Sequence, residues 1–262
     1  MTGTIVNGVK PGLQVFVSAG AAGIGRAIAD TFHDHGAKIY VCDVSSDAVT
    51  KCLVEQPTWH GMVADVADEA AVDRVFDDIK AKLGGLDVLV NNAGIAGPTA
   101  GVESIAPADW RRTIEINLNG QFYCQRRAVP MLRQTADGAI INIASVAGRL
   151  GYAYRLPYAA TKWAIVGMTE SLAKELGPEG IRVNAILPGV VEGPRIERVI
   201  GDRAKALGVP YEEMEQEYLD KISLRRMVTA QDIANMAIFL CSEAGRNISG
   251  QPLSVCGNVE TL

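Results

Sequence analysis

Tyr158 and Lys162 stand four residues apart in the run Tyr158-Ala159-Ala160-Thr161-Lys162, and Ser145 lies thirteen positions upstream of Tyr158 at the end of an apolar stretch. On a helix, side chains at i and i+4 share one face. A free tyrosine ionises near pH 10 and is a poor base at neutrality. An ammonium beside it favours the phenolate and brings it toward the working pH. A serine hydroxyl can meanwhile hold a substrate oxygen, since it both donates and accepts. Such a trio suits proton transfer to or from an alcohol or carbonyl oxygen. The pair alone is weak, because tyrosine and lysine at this spacing occur on many helices, so its meaning depends on the elements that carry it.

Composition sets the frame for those elements. The chain has 262 residues, 48% hydrophobic and 21% charged, which describes one globular domain over 1–262 near the upper size of a single hydrophobic core. A net charge of −5 gives no electrostatic reason to expect nucleic acid or an anionic membrane as partner. Arg126-Arg127, the nearest thing to a basic cluster, reads as a helix surface. Cys42, Cys52, Cys124, Cys241 and Cys256 are scattered without the paired spacing of zinc or redox motifs, so no metal is expected. An odd cysteine count, no signal-peptide core in Met1–Gly12 and no apolar run of membrane-spanning length predict a soluble cytoplasmic protein. His33, His35 and His60 read as structural.

Along the chain, a short β-rich run, Leu13–Ser18, leads into a glycine-rich loop ending Gly23-Ile24-Gly25, and a helical pattern runs from Arg26 to about His35. Glycines let a backbone approach a pyrophosphate, and a helix N-terminus offers free N–H groups to it, although the same pattern also makes a simple tight turn. A second strand, Lys38–Cys42, ends at Asp43, placed to accept hydrogen bonds from a ribose and to repel a 2′-phosphate. Val44, Ser45 and Ser46 supply no cation for that phosphate, so NAD is expected over NADP; a helix cap is the alternative for Asp43. A strand around Trp59–Val63, a helix from about Asp68 to Leu83 and a strand Leu86–Val90 follow, the last closed by Asn91-Asn92-Ala93-Gly94. A long helix is predicted from Pro107 to about Gln134. Asn117 is a poor interior helix residue that either faces solvent, bends the helix or holds a water. The strand Ala139–Ala144 delivers Ser145, the helix with Tyr158 and Lys162 runs to about Leu176, and Ile181–Leu187 is a sixth strand before Pro188-Gly189. Strands alternating with helices at this spacing predict a doubly wound, mostly parallel α/β sheet of about seven strands. Between Gly193 and Met227 the rhythm breaks into two charged helices, Ile196–Leu207 and Tyr211–Ile222, which suit a substrate lid or an oligomer contact. A helix over Ala230–Cys241 and a strand over Pro252–Cys256 complete the pattern.

Taken together, Ser18–Gly25, Asn91–Gly94, Asn117, Ser145 and Tyr158–Lys162 resemble, in order, the motifs of the short-chain dehydrogenase/reductase family, and the resemblance spans essentially the whole chain. It implies a Rossmann-like fold and a metal-free hydride transfer between NAD and a secondary alcohol. Tyr158 would be the catalytic acid/base, Lys162 would lower its pKa and bind the nicotinamide ribose, Ser145 would orient the reacting oxygen, and Asn117 would hold a relay water. Ser18, Gly20, Gly23, Ile24 and Gly25 would form the pyrophosphate loop, with Asp43 and Val44 following at the adenosine ribose. Asp65 and Val66 would meet adenine, Asn92, Ala93 and Gly94 would line the cleft, and Pro188, Gly189 and Val191 would approach the nicotinamide. Three positions depart from the family pattern: Ser18-Ala19 replaces threonine and the first glycine, Gly193 replaces a carboxamide-binding threonine, and Cys256 replaces an aspartate. The family's usual assembly implies a homotetramer built on the two long helices.

For the substrate, Arg149, Arg155 and Arg195 surround the expected cleft and are suited to a carboxylate, or equally to pairing with Glu192, Glu197 or a neighbouring subunit. The stretch Ser223–Met227 and the ending Gly257–Leu262 resemble a branch of the family that oxidises sugar-derived acids, the 2-keto-3-deoxy-L-fuconate and 2-keto-3-deoxy-L-rhamnonate 4-dehydrogenases. The alternatives are a dehydrogenase of a neutral sugar, polyol or cyclic ketone, and, outside enzymes, a nucleotide-sensing scaffold. A 3-oxoacyl thioester reductase fits less well, because that role usually goes with NADP and Asp43 opposes it.

Overall fold

The computed structural model describes residues 8–135 and 137–259. Seven strands, β1 (Gln14–Ser18), β2 (Lys38–Asp43), β3 (His60–Val63), β4 (Val88–Asn91), β5 (Ala139–Ile143), β6 (Arg182–Pro188) and β7 (Pro252–Val255), form one parallel sheet in the order β3-β2-β1-β4-β5-β6-β7. Side chains alternate faces along a strand. Val15, Val17, Ile39, Val41, Val88, Val90 and Ile141 enter one apolar cluster, while Phe16, Tyr40, Leu89 and Ile140 enter another. A sheet apolar on both faces must be covered on both faces, as parallel sheets are.

The cover is helical. On the first face, α1 (Gly23–Asp34) and a short α2 (Ser46–Glu55) contribute Ile28, Phe32, Val49 and Cys52, together with Ile233 and Ile238 of the late helix Ala230–Leu240. The second face is covered by α3 (Glu69–Leu83) and by helices over Pro107–Leu132 and Leu156–Leu176. Helix α2 has little signature in the sequence. The Ser45 hydroxyl caps it by accepting from the Ala48 amide at 3.2 Å, and only Val49 and Cys52 are buried, so its apolar stripe is too thin to stand out.

The long helix expected over Pro107–Gln134 is three pieces: α4 (Pro107–Ile114), a π segment (Glu115–Asn119) and α5 (Gly120–Leu132). The shift in the hydrogen-bond ladder falls on Asn117. Helix α6 is Leu156–Leu176. The predicted insertion is α7 (Pro194–Leu207) and α8 (Tyr211–Asp220), joined through Gly208, the left-handed C-cap of α7 with φ of 70°. Ile200, Ala204, Met214 and Tyr218 of this pair make a separate apolar cluster with Val146 and Val190, which seats the two helices over the carboxyl ends of β5 and β6. The last helix, α9, is Ala230–Leu240 and opens with a reciprocal capping box between Thr229 and Asp232. No helix among the described residues is long and apolar enough to cross a membrane. The opening residues 1–7 and the tail Glu260–Leu262, the end of the stretch that resembles the sugar-acid branch, lie outside the described residues.

Candidate active site

A cleft opens beyond the carboxyl ends of β1, β4, β5 and β6. The chain lays β2 and β3 to one side of β1 and then crosses back to place β4 on the other. Loops leaving β1 and β4 therefore part in opposite directions, which is where open α/β sheets form crevices. The cavity there has a volume of about 370 Å3, and a wider hollow of about 950 Å3 shares Ala22, Asp43, Gly94, Arg155, Arg195 and Val199 with it.

The glycine loop builds one wall. Helix α1 begins at Gly23, three residues earlier than predicted, with Ala22 as an N-cap that offers no side-chain bond and with no acidic residue in the first turn. Its first amides are left without side-chain partners at the positive end of the helix dipole, and Ala22, Gly23 and Ile24 line the cavity. That is a fit for a pyrophosphate. Gly25 stands behind this wall. A Cβ there would run into the Ala19 carbonyl oxygen and lie 2.5 Å from Asn92 Nδ2, so the loop can fold back against the β4 loop only with glycine. Gly20 also faces away from the cleft, packed on Val17 and Val41.

Ser18 is a clamp rather than a lining residue. Its buried hydroxyl accepts from the amides of Asn92 and Ala93, both at 3.0 Å, while Asn92 Nδ2 donates to the carbonyls of Ser18 and Ala19, both at 3.1 Å. Serine in place of threonine leaves this lock complete. The alanine beside it sits in the left-handed region, with φ of 48°, where its Cβ carries a strain glycine would not.

Asp43 ends β2 and lines the cavity, one carboxylate oxygen accepting from the Ser45 amide at 3.0 Å. It forms no ion pair among the described residues, so its remaining acceptor capacity faces the cleft. Val44 beside it is exposed. Asp65 and Val66 do not line the cavity. Burial would raise the Asp65 pKa, but the Arg112 guanidinium, donating at 2.7 Å, and the Ala67 amide hold it below the usual range. Val66 is buried against Gly120.

The opposite wall carries the reactive trio. Ser145 caps a 3-10 turn, Val146–Gly148, its hydroxyl accepting from the Ala147 amide at 3.1 Å, and it hydrogen-bonds Tyr158. Pro157 in the first turn starts α6, so Tyr158 and Lys162 fall one turn apart and both face the cavity. Lys162 is buried; its Nζ donates to the Ile143 carbonyl at 2.8 Å and lies 5.6 Å from the Tyr158 ring centre. Burial opposes ionisation of Tyr158, yet Lys162, Arg195, the Ser145 bond and Arg155 together outweigh it and hold the phenol below its ordinary pKa. Burial pushes Lys162 down to about 8, with Arg195 adding repulsion and Tyr158 opposing.

Asn117 is fully buried, not solvent-facing. Its Oδ1 accepts from the Ile95 amide at 2.7 Å, and its Nδ2 donates to the Ile95 carbonyl at 3.0 Å and to Thr161 Oγ1 at 3.2 Å. Both amide hydrogens are thus spent on protein, and the side chain pins the β4 loop to α6. Thr161, unnoticed in the sequence, sits inside the Tyr-x-x-x-Lys motif itself. Gly94 nestles beside this group, its place for a Cβ being 3.3 Å from Asn117 Oδ1 and 3.7 Å from Lys162 Nζ.

Pro188, Gly189 and Val191 line the far side as expected. Gly189 packs on Cys256, the replacement for aspartate, with room for no Cβ. Gly193, the N-cap of α7, has φ of 127°, a conformation that disfavours the threonine found elsewhere in the family. The three arginines separate. Arg149, expected at the substrate, does not line the cavity; it ties the 3-10 turn to β7, donating to the Pro252 carbonyl at 2.8 Å. Arg155 and Arg195 line the cavity, donating to the carbonyls of Ala96 at 2.8 Å and Gly94 at 3.2 Å, and neither pairs with a carboxylate among the described residues. Tyr152 and Tyr218 also line it; 66 positions apart, they carry no joint signal in the sequence.

A parallel sheet, an uncapped helix end suited to pyrophosphate and a tyrosine acidified by lysine define an oxidoreductase of the dinucleotide-binding class. Comparison with known proteins narrows this. The family described as Enoyl-(Acyl carrier protein) reductase matches residues 19–258. A 2-dehydro-3-deoxy-L-rhamnonate dehydrogenase (NAD(+)) from Sphingomonas sp. (strain SKA58) is 33% identical over 241 residues, 92% of each chain. A 3-oxoacyl-(acyl-carrier-protein) reductase FabG from Staphylococcus aureus (strain Mu50 / ATCC 700699) is 34% identical, covering 94% of this chain and 97% of the relative. Among solved structures, NAD+-bound xylitol dehydrogenase superposes with a TM-score of 0.89 at 28% identity, covering 94% of this chain and 98% of that one. The chain belongs to the short-chain dehydrogenase/reductase family and is an oxidoreductase that uses a nicotinamide cofactor.

Proposed function

We propose that the chain is an NAD-dependent dehydrogenase that interconverts a secondary alcohol and a ketone on a sugar-derived acid, of the kind represented by the 4-position of 2-keto-3-deoxy-L-rhamnonate or 2-keto-3-deoxy-L-fuconate. The observation that carries this reading is the pair of cavity-lining guanidinium groups, Arg155 and Arg195, held beside Tyr158 without a carboxylate partner. Cations kept near a cleft without partners favour an anionic ligand. The similarity to a relative named for an acid of this class supports the same choice.

In the proposed oxidation, Ser145 and Tyr158 take hold of the substrate hydroxyl, and Tyr158, as phenolate, receives its proton. Lys162 keeps that phenolate accessible and offers its remaining hydrogens toward the cofactor ribose. Bound NAD supplies the hydride acceptor. The amides at the start of α1 hold its pyrophosphate, and the Asp43 carboxylate accepts from the adenosine ribose hydroxyls while repelling a 2′-phosphate. We also propose a homotetramer joined through the long helices, where Trp110, Phe122 and Trp163 expose aromatic surface.

A second reading, dehydrogenation of a neutral sugar or polyol, is favoured by the apolar side chains of Val146, Val190, Ile196 and Val199 in the cavity wall and by the likeness to xylitol dehydrogenase. An NAD-reduction screen across sugar acids, neutral sugars and polyols separates the two. Turnover confined to the acids is expected, and turnover confined to neutral substrates replaces the first reading by the second.

A further inference from the structure

Behind Arg155 lies a polar group that the proposed chemistry does not use. Tyr152, in the loop before α6, and Tyr218, on α8, join their hydroxyls at 2.7 Å, and both line the cavity. Arg203 of α7 is buried beneath them, with Nη1 at 3.5 Å from the Tyr218 hydroxyl and its Cζ 5.5 and 5.9 Å from the Tyr218 and Tyr152 ring centres. Its Nε has no partner, and it makes no ion pair among the described residues. Glu217, on the same helix as Tyr218, is held by Lys221 at 2.7 Å. Arg155, also buried and with its Nε unpartnered, sits between the tyrosines of the wall and of the reaction, 5.2 Å from the ring centres of Tyr152 and Tyr158.

Hydrogen-bond polarity determines what this group can bind. A guanidinium only donates, so the Tyr218 oxygen accepts from Arg203. Two hydroxyl protons remain, and the bond between the tyrosines consumes one. Whichever way that bond runs, the other proton has no acceptor among the described protein groups and belongs to a residue lining the cavity. One spare donor between two buried cations lacking carboxylate partners is incomplete as a structural motif, because buried charge is normally paired.

We propose that the Tyr152–Tyr218 hydroxyl pair, backed by Arg203 and flanked by Arg155, is the carboxylate-recognising wall of the substrate site. This rests on the reading of the substrate as an acid. It adds that selection for the acid is made by the helical insertion: Tyr218 and Arg203 come from α8 and α7, so the seated insertion and the anion site are the same structure. Arg203 touches no substrate; it orients and polarises the tyrosine pair.

The test uses the full chain with 2-keto-3-deoxy-L-rhamnonate and its carboxamide, which keep one skeleton and differ in charge. The wild type is expected to prefer the acid in kcat/KM. Tyr152→Phe and Arg203→Met are each expected to cut that acid-to-amide ratio by about tenfold or more, the scale for losing a hydrogen bond to a charged group. Arg203→Lys, which keeps the cation, should restore part of it. NADH binding by fluorescence, retained in all three variants, shows that the fold is intact. An unchanged ratio in a Tyr152→Phe/Tyr218→Phe double variant and in Arg203→Met overturns the wall while leaving the acid reading in place. A wild type indifferent to the charge overturns both.

Discussion

At the residue scale, the Lys162 ammonium donates to the Ile143 carbonyl and, from the same buried position, is the strongest influence drawing Tyr158 toward ionisation. Because the Tyr158 pKa is lowered, its phenolate population at a given pH exceeds that of free tyrosine. Oxidation should therefore rise with pH through a midpoint below 10, the ordinary tyrosine value. Lys162→Met leaves burial less opposed, so the midpoint should move to higher pH along with a loss of rate. A kcat/KM profile from neutral to strongly alkaline pH measures it, and a midpoint that stays in place removes Lys162 from that role. Asp43 is a second single-residue determinant. Asp43→Ala should raise the efficiency with NADP relative to NAD by about tenfold or more, since a carboxylate facing a 2′-phosphate costs on the order of 1–2 kcal/mol. An unchanged ratio would assign cofactor choice elsewhere.

At the element scale, the π segment and the β4 loop form one unit because Asn117 satisfies both backbone groups of Ile95 and reaches Thr161 on α6. Asn117→Ala would leave the partly buried amide and carbonyl of Ile95 without their partner, at about 1 kcal/mol for each polar group so orphaned. Urea unfolding should show a loss of about 2 kcal/mol or more, with activity falling because the β4 loop and α6 lose their common anchor. A stability change under about 0.5 kcal/mol would mean the bracket is replaceable by water. This element was half legible in the sequence. The oddity of an asparagine inside a long helix was visible, but its partner Ile95 lies 22 positions away, and no local pattern announces that contact. The short helix α2 was missed for the opposite reason: its local signals are real, but with only two buried residues its amphipathic stripe is faint.

At the scale of the whole molecule, helices cover the sheet on both faces, yet Trp110, Phe122 and Trp163 remain between 38 and 52% exposed on α4, α5 and α6. In the proposed homotetramer these rings are covered by neighbouring copies. Phe122→Glu and Trp163→Glu together should lower the sedimenting mass to dimer or monomer without unfolding the chain, because neither residue belongs to the apolar clusters of the protomer. A mass equal to that of the wild type would place any assembly contact on another face. The helical pair α7–α8 belongs to this scale as well, since its apolar cluster includes Val146, Val190, Ile222 and Val259 from outside the pair.

What the sequence by itself determined was the alternation of strands and helices, the parallel sheet and the trio Ser145, Tyr158 and Lys162, because periodicity, glycine placement and i, i+4 spacing are local properties of a chain. What only the tertiary structure decided was the fate of residues whose meaning depends on distant neighbours. Arg149 and Arg155 sit six positions apart in one loop and read alike, yet one donates to the β7 backbone while the other lies buried between Tyr152 and Tyr158. Tyr152, Arg203 and Tyr218 became a group only when α7 and α8 folded over the sheet. A long polar side chain takes its role from the acceptors and charges within its reach, and those are supplied by the fold.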